Sequence, residues 1–259
     1  MRLWSRVLLA LALAGAAHAG TVDVAGGKEL SGVLWFQQLS GSVSGRSATG
    51  GGTATLAPKN DAEPEVAATL KAFGSFAVDL SYTPLQLKTT FDSSAPFSFG
   101  GANFGKVTGG SADYDVQMVE AALRYIVLDN RWFRVSTSSV LKLVRTDITL
   151  STPTEVHRFA HTIPIPMAGL SAQVNFTNAF KAYGSMKFLD VAIGPLSTSV
   201  HDWELGVIAD WNPGDWHTFR FSGGYRKFSL ELDDDRGKPD EEALDVRHQG
   251  AFVEVATSF

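Results

Sequence analysis

The sequence predicts an all-β fold: a transmembrane antiparallel up-and-down β-barrel of ten strands, with eight as the alternative count. Three observations carry this. Apolar and polar residues alternate with period two through most of the chain. A secretory leader precedes the alternation. The 259 residues are 44% hydrophobic yet 19% charged, with 25 glycines and 17 phenylalanines. That mixture is too polar for a helical membrane protein and rather apolar for a secreted enzyme. It suits a wall whose alternate residues face lipid and lumen.

The leader comes first. Arg2 and Arg6 precede an apolar run of Val, Leu, Ala and Gly, and Ala17-His18-Ala19 follows as a small-residue cleavage pattern. The run is too short to span about 30 Å of hydrocarbon as a helix. Residues 1–19 are therefore expected to be a signal peptide and 20–259 one barrel domain. No later run of 18 apolar residues follows, so any membrane crossing falls to strands. Without Arg2 and Arg6 the remaining 20 basic and 27 acidic residues leave −7. No basic excess is available to neutralise phosphates, which argues against a nucleic-acid partner. The absence of cysteine excludes disulfides, thiolate metal sites and thiol catalysis.

Ten segments follow in order: 32–45, 66–82, 85–92, 113–128, 133–150, 167–176, 180–189, 200–211, 217–232 and 246–259. Tight turns are expected at Thr83-Pro84, Asp129-Asn130, Thr177-Asn178 and Asn212-Pro213-Gly214-Asp215. Long joins alternate with them, including the Gly50-Gly51-Gly52 stretch, a loop through His157 and His161, and an acidic loop after Leu232. Short turns at one end and long loops at the other are what an outer-membrane barrel requires.

Alternation assigns the faces. Val119, Leu123, Tyr125 and Val127 oppose Glu120 and Arg124; Trp203, Leu205, Val207 and Trp211 oppose Glu204 and Asp210. Phe219, Phe221 and Tyr225 oppose Arg220 and Arg226, and Val253, Val255, Thr257 and Phe259 oppose Glu254. Trp203 and Trp211 are eight residues apart, about 26 Å at strand rise. With Tyr125 and Phe259 they are the expected aromatic girdle residues.

The final residues, with Val253, Val255, Thr257 and Phe259 on one face, resemble the C-terminal assembly signal of outer-membrane proteins. More broadly, the chain resembles a family of small bacterial outer-membrane β-barrel proteins of unassigned role. The matching pieces are Tyr125-Ile126-Val127-Leu128-Asp129-Asn130, Ile165-Pro166-Met167, Gly224-Tyr225-Arg226 with Leu230 to Asp234, and Gly250 to Phe259. The resemblance implies a monomeric barrel in the outer membrane of a Gram-negative bacterium. Its partners would be the membrane lipids, lipopolysaccharide and, during biogenesis, the barrel-assembly machinery. It implies nothing about a reaction.

The inward faces are expected to carry Lys71, Asp79, Lys88, Glu120, Arg124, Lys142, Lys187, Glu204, Asp210, Arg220, Arg226 and Glu254. Mixed signs in a narrow lumen should pair. Glu120 and Arg124 are expected near Lys142, Glu204 and Asp210 near Arg220 and Arg226, and Glu254 beside Arg226. Such a lumen is either filled and stiff or a narrow passive channel.

Other constellations speak more weakly. Asp113, Asp115, His201 and Asp202 lie where an omptin-like protease keeps its carboxylates and histidine, but Asp113 and Asp115 share parity with lipid-facing Val119. Glu155, His157 and His161 fall within seven residues, and a helical loop would put both histidines on one face as metal candidates. The acidic loop is a candidate for Ca²⁺ or bridged lipopolysaccharide. Phe228, Leu230 and Leu232 share parity with Arg226; an apolar pocket there would mark an OmpW-like route for small hydrophobic molecules through a lateral opening. The expectation is a structural barrel or narrow passive channel, without cofactor or catalysis, with that route as the alternative and an outer-rim enzyme as the second.

Overall fold

The computed structural model describes residues 27–258, apart from 48–49, 100–101, 194–195, 215–216 and 235–241. The leader and Phe259 lie outside the described residues. Among the described residues twelve strands are formed. They are β1 (Lys28–Ser47), β2 (Gly50–Phe73), β3 (Phe76–Ser93), β4 (Phe97–Phe99), β5 (Ala102–Phe104) and β6 (Val107–Asp129). After them come β7 (Phe133–Ser151), β8 (Val156–Asn175), β9 (Phe180–Ile193), β10 (Leu196–Gly214), β11 (His217–Asp234) and β12 (Glu242–Ser258). Ten of these close into an antiparallel barrel in the order β1-β12-β11-β10-β9-β8-β7-β6-β3-β2; β4 and β5 form a separate hairpin.

The expected ten-stranded barrel is therefore the fold, with two extra strands. Its strands differ from the expected segments in two places. The turn at Thr83-Pro84 does not exist. The chain turns at Gly74-Ser75, where Gly74 adopts φ +53° and β2 meets β3 at Phe73↔Phe76. Pro84 sits within β3 and pairs with Gln117. It is tolerated because β2–β3 pairing is interrupted between Leu56↔Phe91 and Val66↔Tyr82, so its missing N–H breaks no ladder there. The second difference is at the end expected to carry long loops. Gly50-Gly51-Gly52 open β2, and the stretch through His157 and His161 is the start of β8. The strands run on where loops were expected.

The outer face explains the overshoot. On β7, outward residues stay apolar or small from Phe133 to Leu143, then change to Arg145 and Asp147. Ten residues make about 33 Å of strand, which stands about 25 Å tall at a tilt of about 40°. Phe36, Tyr82, Val119, Phe188, Trp203 and Tyr225 top the same belt on other strands. Phe73, Tyr125, Trp132, Phe176, Phe180 and Trp211 are exposed near the tight turns. Above the belt the outward side chains include ion pairs: Lys88 meets Asp113 at 2.7 Å, and Arg158 Nε meets Asp147 at 2.7 Å. The unbroken alternation of β3 places Lys88 here, outside the lumen, because no turn at Thr83-Pro84 resets the parity. Lys71 is exposed at the turn end.

Candidate lumenal site

The lumen is layered along the barrel axis. Nearest the tight turns, Arg220 binds Glu29 and Asp210, each at 2.9 Å, and Lys181 binds Asp210 at 2.6 Å. Arg124 pairs with Asp79 on the neighbouring strand at 2.9 Å, and Thr69 donates to the same carboxylate at 2.6 Å.

The middle layer centres on Asp202. Its carboxylate receives Lys142 at 3.0 Å, Lys187 at 3.4 Å and Arg226 at 3.0 Å. Glu120 binds Lys142 at 3.0 Å and Lys187 at 3.2 Å. Arg226 also reaches Glu65 at 2.9 Å, whose second contact is the Thr83 hydroxyl. All of these groups are buried. A buried charge is tolerable only when paired and fully bonded, and three cations against three carboxylates achieve that.

Side-chain parity places most of the expected lumen charges inward, and Glu120 with Lys142 and Asp210 with Arg220 pair as expected; the rest of the pairing differs. Arg124 faces Asp79 rather than Lys142. Glu204 accepts from the Tyr183 hydroxyl, and Glu254 from Ser222, so neither joins the arginine network directly. Glu29 and Glu65 were missed because they fall just outside the expected segments. Asp202 and Lys181 were legible: Asp202 shares parity with Glu204, and Lys181 with Lys187.

Cation–π contacts end the charged layers. Arg226 Cζ stands 4.9 Å from the Trp35 ring centroid, and Lys142 Nζ stands 5.0 Å from that of Phe228. Above Phe228 the lumen becomes apolar and opens into a cavity of about 70 Å³. One water needs about 10–15 Å³ on this scale. Leu39, Leu56, Leu85, Val116, Met118, Val144, Ile148, Leu230 and Leu244 line it. Only Tyr114, Thr146 and His248 add polar atoms to the lining, and His248 Nδ1 is held 2.9 Å from Gln37. Phe228 and Leu230, singled out by parity, do line this cavity; Leu232 is buried in the same apolar cluster.

The β4–β5 hairpin lies across the loop end. Phe97 stacks on Phe104 at 4.8 Å, Phe99 meets Phe159 at 5.4 Å, and Phe104 meets His157 at 5.0 Å. Glycines allow the fit: a Cβ on Gly45 would lie 1.8 Å from the Ser98 carbonyl oxygen, and one on Gly52 2.7 Å from those of Ala95 and Pro96. The cavity thus has an aromatic lid and an ion-paired floor.

The histidine and acidic candidates are dispersed. Glu155 precedes β8, and its carboxylate lies 3.4 Å from His157 Nε2. His157 and His161 are on a strand, not a helix, and four strand residues separate their backbones by about 13 Å. Among the described residues no group of three His, Asp or Glu side chains could hold a metal. Asp113 and Asp115 do lie on the outward parity. Asp202 is in the lumen while His201 is exposed outside, 3.2 Å from Asp190. Ser199 donates to Asp190 at 2.6 Å and holds its carboxyl below the ordinary value. The carboxylate sits between serine and histidine, so the imidazole is not on the hydroxyl as a serine nucleophile of the Ser–His type requires. Of the acidic stretch, Asp233 and Asp234 end β11 and Glu242 opens β12; residues 235–241 lie outside the described residues.

No family model and no curated protein matches the chain. Among solved structures, the outer membrane protease OmpT from Escherichia coli is similar at a TM-score of 0.51 and 12% identity, over 92% of this chain and 99% of that one. The transport unit of the autotransporter AIDA-I from Escherichia coli gives 0.45 at 7% identity, covering 98% and 96%. The Ralstonia pickettii toluene transporter TbuX gives 0.35 at 13%, covering 96% and 97%. The likeness to OmpT shows an outer-membrane β-barrel fold and nothing about chemistry.

Proposed function

We propose that this is a bacterial outer-membrane barrel that takes small apolar molecules into the outer half of its lumen and passes them toward lipid. In this reading the tight turns face the periplasm and the β4–β5 lid faces outward. Membrane lipid surrounds the apolar belt, lipopolysaccharide meets the charged ring above it, and the assembly machinery reads the C-terminal strand. The carrying observation is the cavity walled by Leu39, Leu85, Val116, Met118, Val144 and Leu230 above a closed ion-pair layer. An aqueous pore needs the opposite arrangement, with polar groups lining an open path. The reading includes no catalytic step.

The test is saturable binding of an apolar fluorophore, N-phenyl-1-naphthylamine, to the protein in nanodiscs. Binding should be lost when Val116→Trp fills the cavity. Identical titrations for the wild type and this variant would sink the proposal. A purely structural barrel is the second reading, favoured by the filled charge layer. It predicts no saturable binding.

A further inference from the structure

Among the described residues the wall has an interruption between β8 and β9 that no side chain bridges, and we infer that it is the exit from the chamber into the lipid. Pairing of β8 with β9 stops at Ala168↔Phe188. Above that point β8 stays paired with β7 as far as Ser151↔Val156, and β9 stays paired with β10 as far as Leu196↔Ile193. The edges of β8 and β9 therefore separate while each keeps its other neighbour.

The cause is readable in Pro164 and Pro166. On β8 the N–H of Asn175 points to the β7 side, bonding the Trp132 carbonyl, and that of Phe176 points to the β9 side, bonding the Phe180 carbonyl. Alternation without a register shift puts the nitrogens of residues 166 and 164 on the β9 side too. Both are proline and donate nothing. Two successive donors are thus missing from the edge that β9 would need.

The other interruption in the wall, between β2 and β3, is sewn shut. Thr89 donates to the Ala57 carbonyl at 2.7 Å, and Thr83 to Glu65 at 2.9 Å. At the β8–β9 seam the inward side chains are Ile163, Ile165, Met167, Leu189 and Val191, which carry no such group. These five belong to the same apolar cluster as the chamber residues Met118, Val144 and Phe228. An apolar surface therefore runs from the chamber to the seam without crossing a charge. Phe188 tops the lipid-facing belt on β9, so the seam begins at the outer boundary of the hydrocarbon.

The proposal rests on the chamber reading, and one experiment separates the two. The chain has no cysteine, so Thr162→Cys with Ala192→Cys provides a unique pair flanking the seam and leaves both prolines in place. The folded protein is placed in vesicles whose outer leaflet is lipopolysaccharide, then cross-linked with a short bis-maleimide. Cross-linking after folding makes each sample its own control. A second pair, Phe221→Cys with Val255→Cys, staples a fully paired part of the wall. The seam staple should slow protein-dependent transfer of N-phenyl-1-naphthylamine into the bilayer at least tenfold and leave its binding within twofold. The control staple should change neither. Unchanged transfer with binding intact overturns the seam alone. Absence of saturable binding before cross-linking overturns the chamber, and the seam with it.

Discussion

Nη1 of Arg226 on β11 lies 2.9 Å from Oε2 of Glu65 on β2, a chord across the lumen that skips β12 and β1. The same guanidinium binds Asp202 on the adjacent strand. One planar fork therefore ties two separated parts of the wall, which a single ammonium cannot do with the same geometry. Lys142 and Asp202 make a comparable chord, from β7 to β10.

Arg226→Met should destabilise the barrel by about 3–5 kcal/mol, because Glu65 and Asp202 stay buried after losing their shared partner. Urea unfolding of the detergent-refolded protein measures this. Arg226→Lys should recover only part of the loss. Wild-type stability in Arg226→Met would contradict the strut.

The charge layer should also set conductance. The wild type is expected to show small steps or none in planar bilayers. Glu120→Ala with Asp202→Ala leaves Lys142, Lys187 and Arg226 in excess, so water and anions should enter. Larger steps with an anion-selective reversal potential are the expected result. A double variant as closed as the wild type would place the block elsewhere.

The lid can be displaced without touching the floor. Gly45→Val forces a side chain into the Ser98 carbonyl, so the β4–β5 hairpin must lift. Proteases should then cut within 94–106 at least tenfold faster, while the heat-dependent gel shift of a folded barrel persists. Equal resistance to cleavage would show that the hairpin does not depend on this contact.

Phe228→Ala should enlarge the chamber and remove the ring facing Lys142. A loss of about 3–5 kcal/mol is expected for a large-to-small change at a buried aromatic. The fluorophore should still bind, with altered affinity, whereas Leu85→Trp should reduce binding at least tenfold. Overfilling of that kind costs about 1–3 kcal/mol, which an unfolding curve checks separately. Equal affinities in all three proteins would remove the cavity from the binding site.

Period-two alternation was decisive where the two faces meet different surroundings. Val119 to Val127 against Glu120 and Arg124 is such a stretch, and so is Trp203 to Trp211. Beyond the belt both faces of a strand meet water or the lid, so the pattern fades; residues 50–61 and 156–162 then look like loops. Thr83-Pro84 has turn chemistry, yet Gly74 supplies the positive φ inside a stretch that reads as strand. Parity reports the face of a residue but not its height or its partner across the lumen, so Arg124 with Asp79 was not legible. Phe228 and Leu230 were, because an apolar residue on an otherwise charged face stands out. The prolines at 164 and 166 went unread, because the expected segment began at Met167, although alternate prolines disarm one edge of a strand.

The closed floor has an energetic consequence for any solute in the chamber. Both chamber and bilayer offer apolar surroundings, so moving between them changes the hydrophobic term little. The gain is made on leaving water beneath the lid; the step through the wall is close to level. Such a barrel equilibrates its solute with the outer leaflet and cannot concentrate it there. Net flux must then be drawn by whatever removes the solute from the lipid, and no energy source at the barrel is required.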